Sequence, residues 1–168
     1  MLTTDEEDFL SKQTDKIITV KPFNPSCITV ATKIINRIKA VFPNADVRHL
    51  GASSLGLSGQ NDIDMYILSD PSDFDKYLSG LIKLFGETKW RKYDSNAWKF
   101  IEDGIEVELY LTDPTSKPMQ RQIGVYNALK ASKKLQKEYE KLKEKFNGKS
   151  WIEMQKAKYT FYHKVLDN

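Results

Sequence analysis

A stretch rich in small residues leads directly into a strand with two aspartates, and it limits the possible folds of this chain more than any other feature. Residues 51–61 contain three glycines and three serines, and Asp62 and Asp64 follow at the start of an apolar run. Side chains of a strand alternate between its faces, so both carboxylates lie on one face with Cα atoms about 7 Å apart. They can bind one hard cation together, while the loop offers N–H groups and hydroxyls to phosphate oxygens. The pattern predicts a metal and phosphate site.

The composition of the chain is typical of a globular protein and excludes several other kinds of site. The 168 residues are 40% hydrophobic and 29% charged, which is enough to bury a core. The sequence has no apolar run of 18 residues or more, so we expect no membrane span, no signal peptide and a cytoplasmic location. Cys27 is the single cysteine and His49 and His163 are the only histidines, which excludes an intramolecular disulfide and a zinc cluster.

Charge is distributed unevenly along the chain. Residues 1–116 carry 13 basic and 18 acidic side chains, whereas residues 117–168 carry 13 basic and 5 acidic ones. The basic C-terminal part could bind an anionic partner, although lysine-rich helices are more often simply solvated. We expect three segments: an acidic N-terminal segment over 1–16, an α/β core over 17–116, and basic helices over 117–168 that pack on the core.

Hydrophobic periodicity predicts an α+β fold. Apolar runs bounded by turn residues indicate strands, and apolar residues three or four positions apart indicate helices. The predicted strands are 17–20, 46–50, 63–68, 88–93, 97–102 and 105–111, with turns at 94–96 and 103–104. The predicted helices are a short one within 1–15, then 26–42, a helix from about 70 to 85, 119–132, 133–146 and 150–166.

A second acidic pair, Glu106 and Glu108, occupies one face of the last predicted strand. Carboxylates on a strand require water, cations or a metal as neighbours. Phosphoryl and nucleotidyl transfer use carboxylates that hold two metal ions about 3.5–4 Å apart. Asp62 and Asp64 would then share the ions with Glu108 or Glu106, and the turn from Gly51 to Ser54 would hold a triphosphate.

These residues also carry a resemblance to a known family. The Gly51-x-Ser53 turn, the Asp62-Ile63-Asp64 strand and the 104–109 segment resemble the polymerase-β-type nucleotidyltransferase superfamily. Within it, residues 17–166 are similar to GrpB-family proteins. The similarity lies in the segments 20–25 and 49–54, in Tyr139-Glu140-x-Leu142-Lys143, and in Lys156 with Phe161.

The resemblance implies a nucleotidyltransferase-like mixed β-sheet with flanking helices and a C-terminal helical segment. It further implies transfer of a nucleoside monophosphate from an NTP, with Mg²⁺ or Mn²⁺ held by Asp62, Asp64 and Glu108. Glu106 is the alternative third ligand, and Gly51, Ser53 and Ser54 are the implied phosphate-binding residues. Ala52 stands where the superfamily has Ser directly after the Gly, so phosphate contact shifts to Ser53 or Ser54.

Several alternatives remain open for the individual residues and for the function. The Asp62 and Asp64 pair could be a solvated strand start, and Trp90 and Trp98 could stack on a base or close the core of the sheet. Arg48, Arg91, Lys92 and Lys99 could hold phosphates or lie on the plain surface. A non-catalytic nucleotide- or RNA-binding module with the same fold is the main alternative to an enzyme, and an interaction protein such as a toxin–antitoxin component is a third. The acceptor could be a small molecule, a protein or an RNA.

Overall fold

The computed structural model describes residues 1–167, which form two compact units. We call residues 23–56 and 61–120 the core unit, and residues 1–22, 57–60 and those from 121 onward the helical unit. No helix within residues 1–167 is both long and apolar enough to cross a membrane.

The elements of both units follow one another along the chain as six α-helices and five strands within the described residues. The helices are α1 (Thr4–Ser11), α2 (Ser26–Val41), α3 (Phe74–Phe85), α4 (Lys117–Ala131), α5 (Lys133–Glu144) and α6 (Trp151–Leu166). The strands are β1 (Asp46–Leu50), β2 (Ile63–Leu68), β3 (Trp90–Lys92), β4 (Ser95–Glu102) and β5 (Ile105–Thr112).

The core unit is built on one mixed five-stranded sheet in the order β1-β2-β5-β4-β3. Strands β2 and β5 are parallel neighbours, while β1–β2, β5–β4 and β4–β3 are antiparallel. The predicted α+β class and the mixed sheet with flanking helices are confirmed. Because β2 and β5 are adjacent and parallel, the two acidic strands run side by side in the same direction.

Helices α2 and α3 supply the hydrophobic core of this unit against one sheet face. Alternate residues of β2, β5 and β4 point into that core, as the period of two requires. The buried members include Ile34, Ile38, Leu81, Met65, Leu109 and Trp98. Trp98 also donates from Nε1 to the carbonyl of Gly86 at 2.8 Å, which fixes the end of α3 to β4. The residues between these apolar positions therefore point to the opposite sheet face.

The helical unit contains a buried ionic cluster around Glu6. The Glu6 side chain is 1% exposed, and Arg121 Nη1 and His163 Nε2 contact its Oε1 at 2.6 and 3.0 Å. The backbone N–H of Thr3 donates to the other oxygen at 2.8 Å and completes a capping box at the start of α1. Burial alone would raise the pKa of Glu6, but the bonds from Thr3 and His163 and the charge of Arg121 outweigh it, and the pKa lies below its usual value.

The C-terminal motif of the resemblance holds the short loop segment at 57–60. Glu140 Oε1 accepts from the N–H of Ser58 at 2.8 Å, and Lys143 donates from Nζ to the carbonyl of the same serine. The ammonium of Lys143 lies 4.5 Å from the ring centroid of Tyr139, which itself stacks on Phe161. These motif residues therefore have a structural role in the helical unit.

Two predictions of local structure are wrong. Residues 17–20 form no strand, because their backbone is bonded to the connection between α5 and α6: Ile18 N–H donates to the carbonyl of Lys149, and Val20 N–H to Asn147 Oδ1. Only single bridges occur there, at Ile17 and Lys21. The turn predicted at 94–96 lies at 93–94, since Lys92 pairs with Ser95 and β4 begins at that serine.

Candidate functional site

The turn after β1 requires glycine at its first position. Gly51 has a φ of +83°, a left-handed conformation that residues with a Cβ rarely adopt. A Cβ at this position would also collide with Asp64 Oδ2, since that carboxylate oxygen occupies the space beside the glycine. The absence of a side chain at Gly51 therefore places the turn directly against one of the predicted catalytic carboxylates.

The serine hydroxyls of the turn are engaged within the loop. Ser53 is 4% exposed, and its Oγ donates to the carbonyl of Asp62 at 2.7 Å. Because the proton of Ser53 is used in this bond, His49 Nε2 must be the donor of the 3.0 Å bond to the same oxygen. Ser54 Oγ donates to the carbonyl of Gly51 at 2.7 Å. The backbone N–H groups of the turn are consequently better candidates for phosphate contact than these two hydroxyls.

His49 is held as a neutral side chain. Burial disfavours its charged form and lowers its pKa to about 4. A neutral imidazole with a proton on Nε2 matches the donor role in the bond to Ser53. His49 therefore acts as a structural link from β1 through Ser53 to the backbone of Asp62.

Sheet register brings the predicted carboxylates onto one face. Asp64 and Glu108 are direct partners across the parallel pair β2 and β5, so their Cα atoms lie about 5 Å apart. Glu106 precedes Glu108 by two residues on β5 and so shares its face. Asp62 lies just before β2, and its charge reaches Tyr110 on this face. Asp64, Glu106 and Glu108 thus belong to the sheet face opposite the α2 and α3 core.

Lys99 forms ion pairs with both glutamates of this face. It is the direct partner of Glu108 on β4, and its Nζ forms ion pairs with Glu106 and, at 3.0 Å, with Glu108. Burial would lower the pKa of Lys99, but the bonds and charges of both glutamates outweigh this and raise it. Lys99 is therefore a resident cation in the middle of the acidic face.

Tyr110 lies where the fields of the acidic residues overlap. Its hydroxyl donates to Glu108 Oε2 at 2.7 Å. Burial is the largest cause of its raised pKa, followed by the negative charges of Glu108, Asp64 and Asp62. Tyr110 is thus a neutral donor that holds Glu108, and the charge of each of the three carboxylates reaches this one phenol.

The structure does not gather these carboxylates into a metal-binding arrangement. Within residues 1–167, no group of three or more His, Cys, Asp or Glu side chains is close enough to hold an ion. The contacts of Glu108 explain this, because Lys99 and Tyr110 occupy its two oxygens. The chemistry of the acidic residues nevertheless fits Mg²⁺ or Mn²⁺, which prefer carboxylate oxygens, and the register pairs Asp64 with Glu108.

The remaining sequence candidates have different environments. Trp98 is buried in the core, whereas Trp90 is 40% exposed on the edge strand. Arg48 forms a two-bond ion pair with Asp46, at 2.9 and 2.7 Å. Arg91 donates to Thr88 Oγ1 at 3.0 Å.

Of the two tryptophans, only Trp90 has an exposed ring on which a base could stack.

Sequence reasoning missed Tyr66 and Tyr110 as neighbours of the acidic residues. Their rings stack with centroids 5.2 Å apart, and Trp90 lies 6.1 Å from Tyr110. The signal was present, because each tyrosine follows an acidic residue, Asp64 or Glu108, by two positions and so must share its face.

Comparisons with known proteins agree with this architecture. A sequence model described as GrpB protein matches residues 17–167. No curated protein matches the chain.

Several solved structures share the fold. A structure of Cid1 as an RNA terminal uridylyl transferase is 14% identical, with a TM-score of 0.52 over 82% of this chain and 43% of its own. The Cid1 poly(U) polymerase with MgGTP bound is 12% identical, with a TM-score of 0.51 over 80% of this chain and 44% of its own. A cytoplasmic RNA terminal U-transferase is 15% identical, with a TM-score of 0.51 over 82% and 42%. The chain spans less than half the length of these proteins, and at such identities the likeness shows the fold alone.

Proposed function

The chain belongs to the GrpB family and has a polymerase-β-type nucleotidyltransferase-like fold, and from this premise we propose that it is a metal-dependent nucleotidyltransferase. It moves a nucleoside monophosphate from an NTP to an acceptor. The observation that carries the proposal is the register pair Asp64 and Glu108, with Gly51 packed against Asp64. The turn that starts at Gly51 supplies the phosphate site of such a reaction. The two adjacent acidic strands supply its carboxylates.

The residues of this chain have separate roles in the reaction. Backbone N–H groups of the turn that starts at Gly51 bind the triphosphate, as successive N–H groups in tight turns bind anions. An acceptor oxygen attacks the α-phosphorus, the bond from that phosphorus to the bridging oxygen of the β-phosphate breaks, and pyrophosphate leaves. A carboxylate of the acidic face takes the proton of the acceptor.

Asp62, Asp64 and Glu108 would hold the metal, with Glu106 as the alternative to Glu108. When bound, Mg²⁺ or Mn²⁺ supplies charge neutralisation on the phosphates and a lower pKa for the acceptor hydroxyl. The Cid1 structure with MgGTP shows a metal nucleotide on this fold in another protein. The acceptor is a small molecule, a protein or an RNA, and we expect a cytoplasmic location.

Transfer of label from α-³²P-labelled NTPs to acceptors tests the proposal. We expect labelling that requires Mg²⁺ or Mn²⁺ and that falls by about 100-fold or more in Asp64→Asn, because loss of a ligand removes both charge and geometry. Asp75→Asn is the matched control, since Asp75 is exposed on α3, which packs on the other sheet face. If Asp64→Asn binds and transfers nucleotide as the unchanged protein does, the catalytic proposal is wrong.

The resident cation predicts a second measurable effect. The ammonium of Lys99 pairs with Glu108 and would compete with a metal ion held there. Replacement of Lys99 by methionine keeps most of the side-chain volume and removes the competing charge, so we expect Mn²⁺ to bind about 5–10-fold more tightly. Titration of Mn²⁺ followed by electron paramagnetic resonance measures this affinity without any reaction.

Lys83→Met serves as the control for Lys99→Met, because Lys83 is an exposed lysine on α3. Its Mn²⁺ affinity should equal that of the unchanged protein. Unchanged or weaker Mn²⁺ binding in Lys99→Met would show that Lys99 and the metal do not compete for Glu108.

One observation favours the alternative of a non-catalytic nucleotide- or RNA-binding module. Lys99 already pairs with both Glu106 and Glu108, and no metal-binding cluster is formed within residues 1–167. Such a module would bind NTPs without a metal requirement and transfer no label. The same labelling experiment, with nucleotide binding measured in parallel, separates the two functions.

A further inference from the structure

A row of aromatic side chains crosses the sheet beside the acidic residues. The register places Tyr66, Tyr110, Ala97 and Trp90 as successive partners on β2, β5, β4 and β3. The ring centroids of Tyr66 and Tyr110 lie 5.2 Å apart, and those of Trp90 and Tyr110 lie 6.1 Å apart. The three rings therefore form a continuous series, which we call the aromatic row. Asp64, Glu108 and Lys99 form the next row on the same face.

The two rows are joined by a hydrogen bond. The hydroxyl of Tyr110 donates to Glu108 Oε2, so the middle of the aromatic row contacts the acidic row. Any planar ligand that stacks at Trp90 lies one strand away from the strand that carries Glu108, because β4 is the only strand between β3 and β5. The aromatic row therefore leads from the sheet edge to the proposed reaction site.

The outer end of the aromatic row is exposed and basic. Trp90 is 40% exposed, which is a high value for a large aromatic side chain. The ammonium of Lys92 lies 5.2 Å from the ring centroid of Trp90, and the register gives both residues the same face. Exposed Lys89 lies one residue before Trp90. An exposed ring beside a cation suits single strands, since a base can stack on the ring and the cation can neutralise the adjoining phosphate.

We propose that the aromatic row and the β3 strand bind a single-stranded nucleic acid and present its end to the acidic residues. The binding surface stands on its own geometry, while the role of the strand as acceptor rests on the proposed nucleotidyl transfer. Trp90 stacks on a base, and Lys92 contacts the adjoining phosphate. A duplex is excluded from this mode because its bases are stacked on one another and offer no free face.

Fluorescence anisotropy with labelled oligonucleotides tests this surface. Probes of twelve uridines and of twelve deoxythymidines, and a twelve-base-pair duplex, are titrated with the full chain. We expect the single strands to bind and the duplex to bind more weakly. Trp90→Ala should weaken single-strand binding about 10-fold or more, whereas Trp90→Phe, which keeps an aromatic face, should lose much less. The slope of log affinity against log salt concentration should be shallower for Lys92→Ala, by the amount expected for the loss of about one phosphate contact.

The controls distinguish this proposal from the proposed transfer reaction. Lys83→Ala removes an exposed lysine from α3 and should leave oligonucleotide binding unchanged. Asp64→Asn should still bind the oligonucleotides even though its label transfer falls. Failure of the unchanged protein to bind single strands, or equal affinity in Trp90→Ala, would overturn the proposed surface. Either result would leave metal-dependent NTP transfer to a different acceptor standing.

Discussion

Replacement of Gly51 by alanine should abolish nucleotidyl transfer while the protein remains folded. The added Cβ would occupy the space of Asp64 Oδ2 and force that carboxylate away from its position beside Glu108. A displacement of about 1 Å at a reacting group can reduce a rate about 100-fold, so we expect a loss of at least that size. The positive φ of Gly51 adds a stability cost of roughly 1–2 kcal/mol for any residue with a Cβ. Label transfer, Mn²⁺ affinity and thermal unfolding measure the three effects.

Two other glycines separate backbone strain from the collision with Asp64. Gly104 has a φ of +78°, and a Cβ there would meet no atom within 4 Å. Gly56 has a φ of +71°, and a Cβ there would meet only the Phe23 ring, at 3.8 Å. Gly104→Ala and Gly56→Ala should lose stability like Gly51→Ala but keep label transfer. Equal activity in all three variants would show that the position of Asp64 beside the turn has no catalytic importance.

The elements around the acidic residues could be predicted because their patterns are local. Alternation along Ile63–Leu68 and Ile105–Thr112 defines two strands, and apolar spacing defines α2 and α3. The same alternation places Asp64 with Asp62, and Glu108 with Glu106, on single faces. The sequence does not show that the two acidic strands are parallel neighbours, because strand order depends on contacts distant in sequence.

Other features depend on tertiary packing and gave no local signal. Glu6 belongs to an acidic run that suggests a solvated surface, yet its side chain is buried because Arg121 and His163 reach it from α4 and α6. The apolar segment at 17–20 has the composition of a strand, but it pairs with a loop instead. In both cases, partners more than a hundred residues away in the sequence determine the burial or the pairing of the segment.

The contacts of Lys99 also explain why the acidic face could not be fully described from sequence. Carboxylates on neighbouring strands repel one another, and the sequence alone leaves water, cations or a metal as possible compensation. The structure supplies a cation, since one ammonium on the adjoining strand pairs with two of the carboxylates. From its sequence context Lys99 is a phosphate contact or plain surface, because its position opposite Glu108 follows only from the β4–β5 register.

Removal of the buried charge of Glu6 should destabilise the helical unit more than any surface change in it. Glu6→Gln keeps the shape of the side chain but leaves Arg121 without its ionic partner, and the loss of one member of a buried ion pair costs about 3 kcal/mol or more. Urea denaturation followed by circular dichroism, with amide hydrogen exchange in α1 and α6, measures the change in the free energy of unfolding. Glu7→Gln is the matched control, since Glu7 is exposed in the same turn of α1 and should change stability by less than about 0.5 kcal/mol.

The pH dependence of this difference tests whether charge is its cause. The pKa of Glu6 is lower in the folded protein than its usual value of 4.5, so ionised Glu6 stabilises the fold above that pH. As the pH falls through the folded pKa, Glu6 takes up a proton and this contribution is lost. The unchanged protein and Glu6→Gln should therefore differ fully at pH 7 and converge in acid, because a protonated glutamate and a glutamine carry the same charge. A difference that stays constant into acid would show that packing around Glu6, rather than its charge, stabilises the unit.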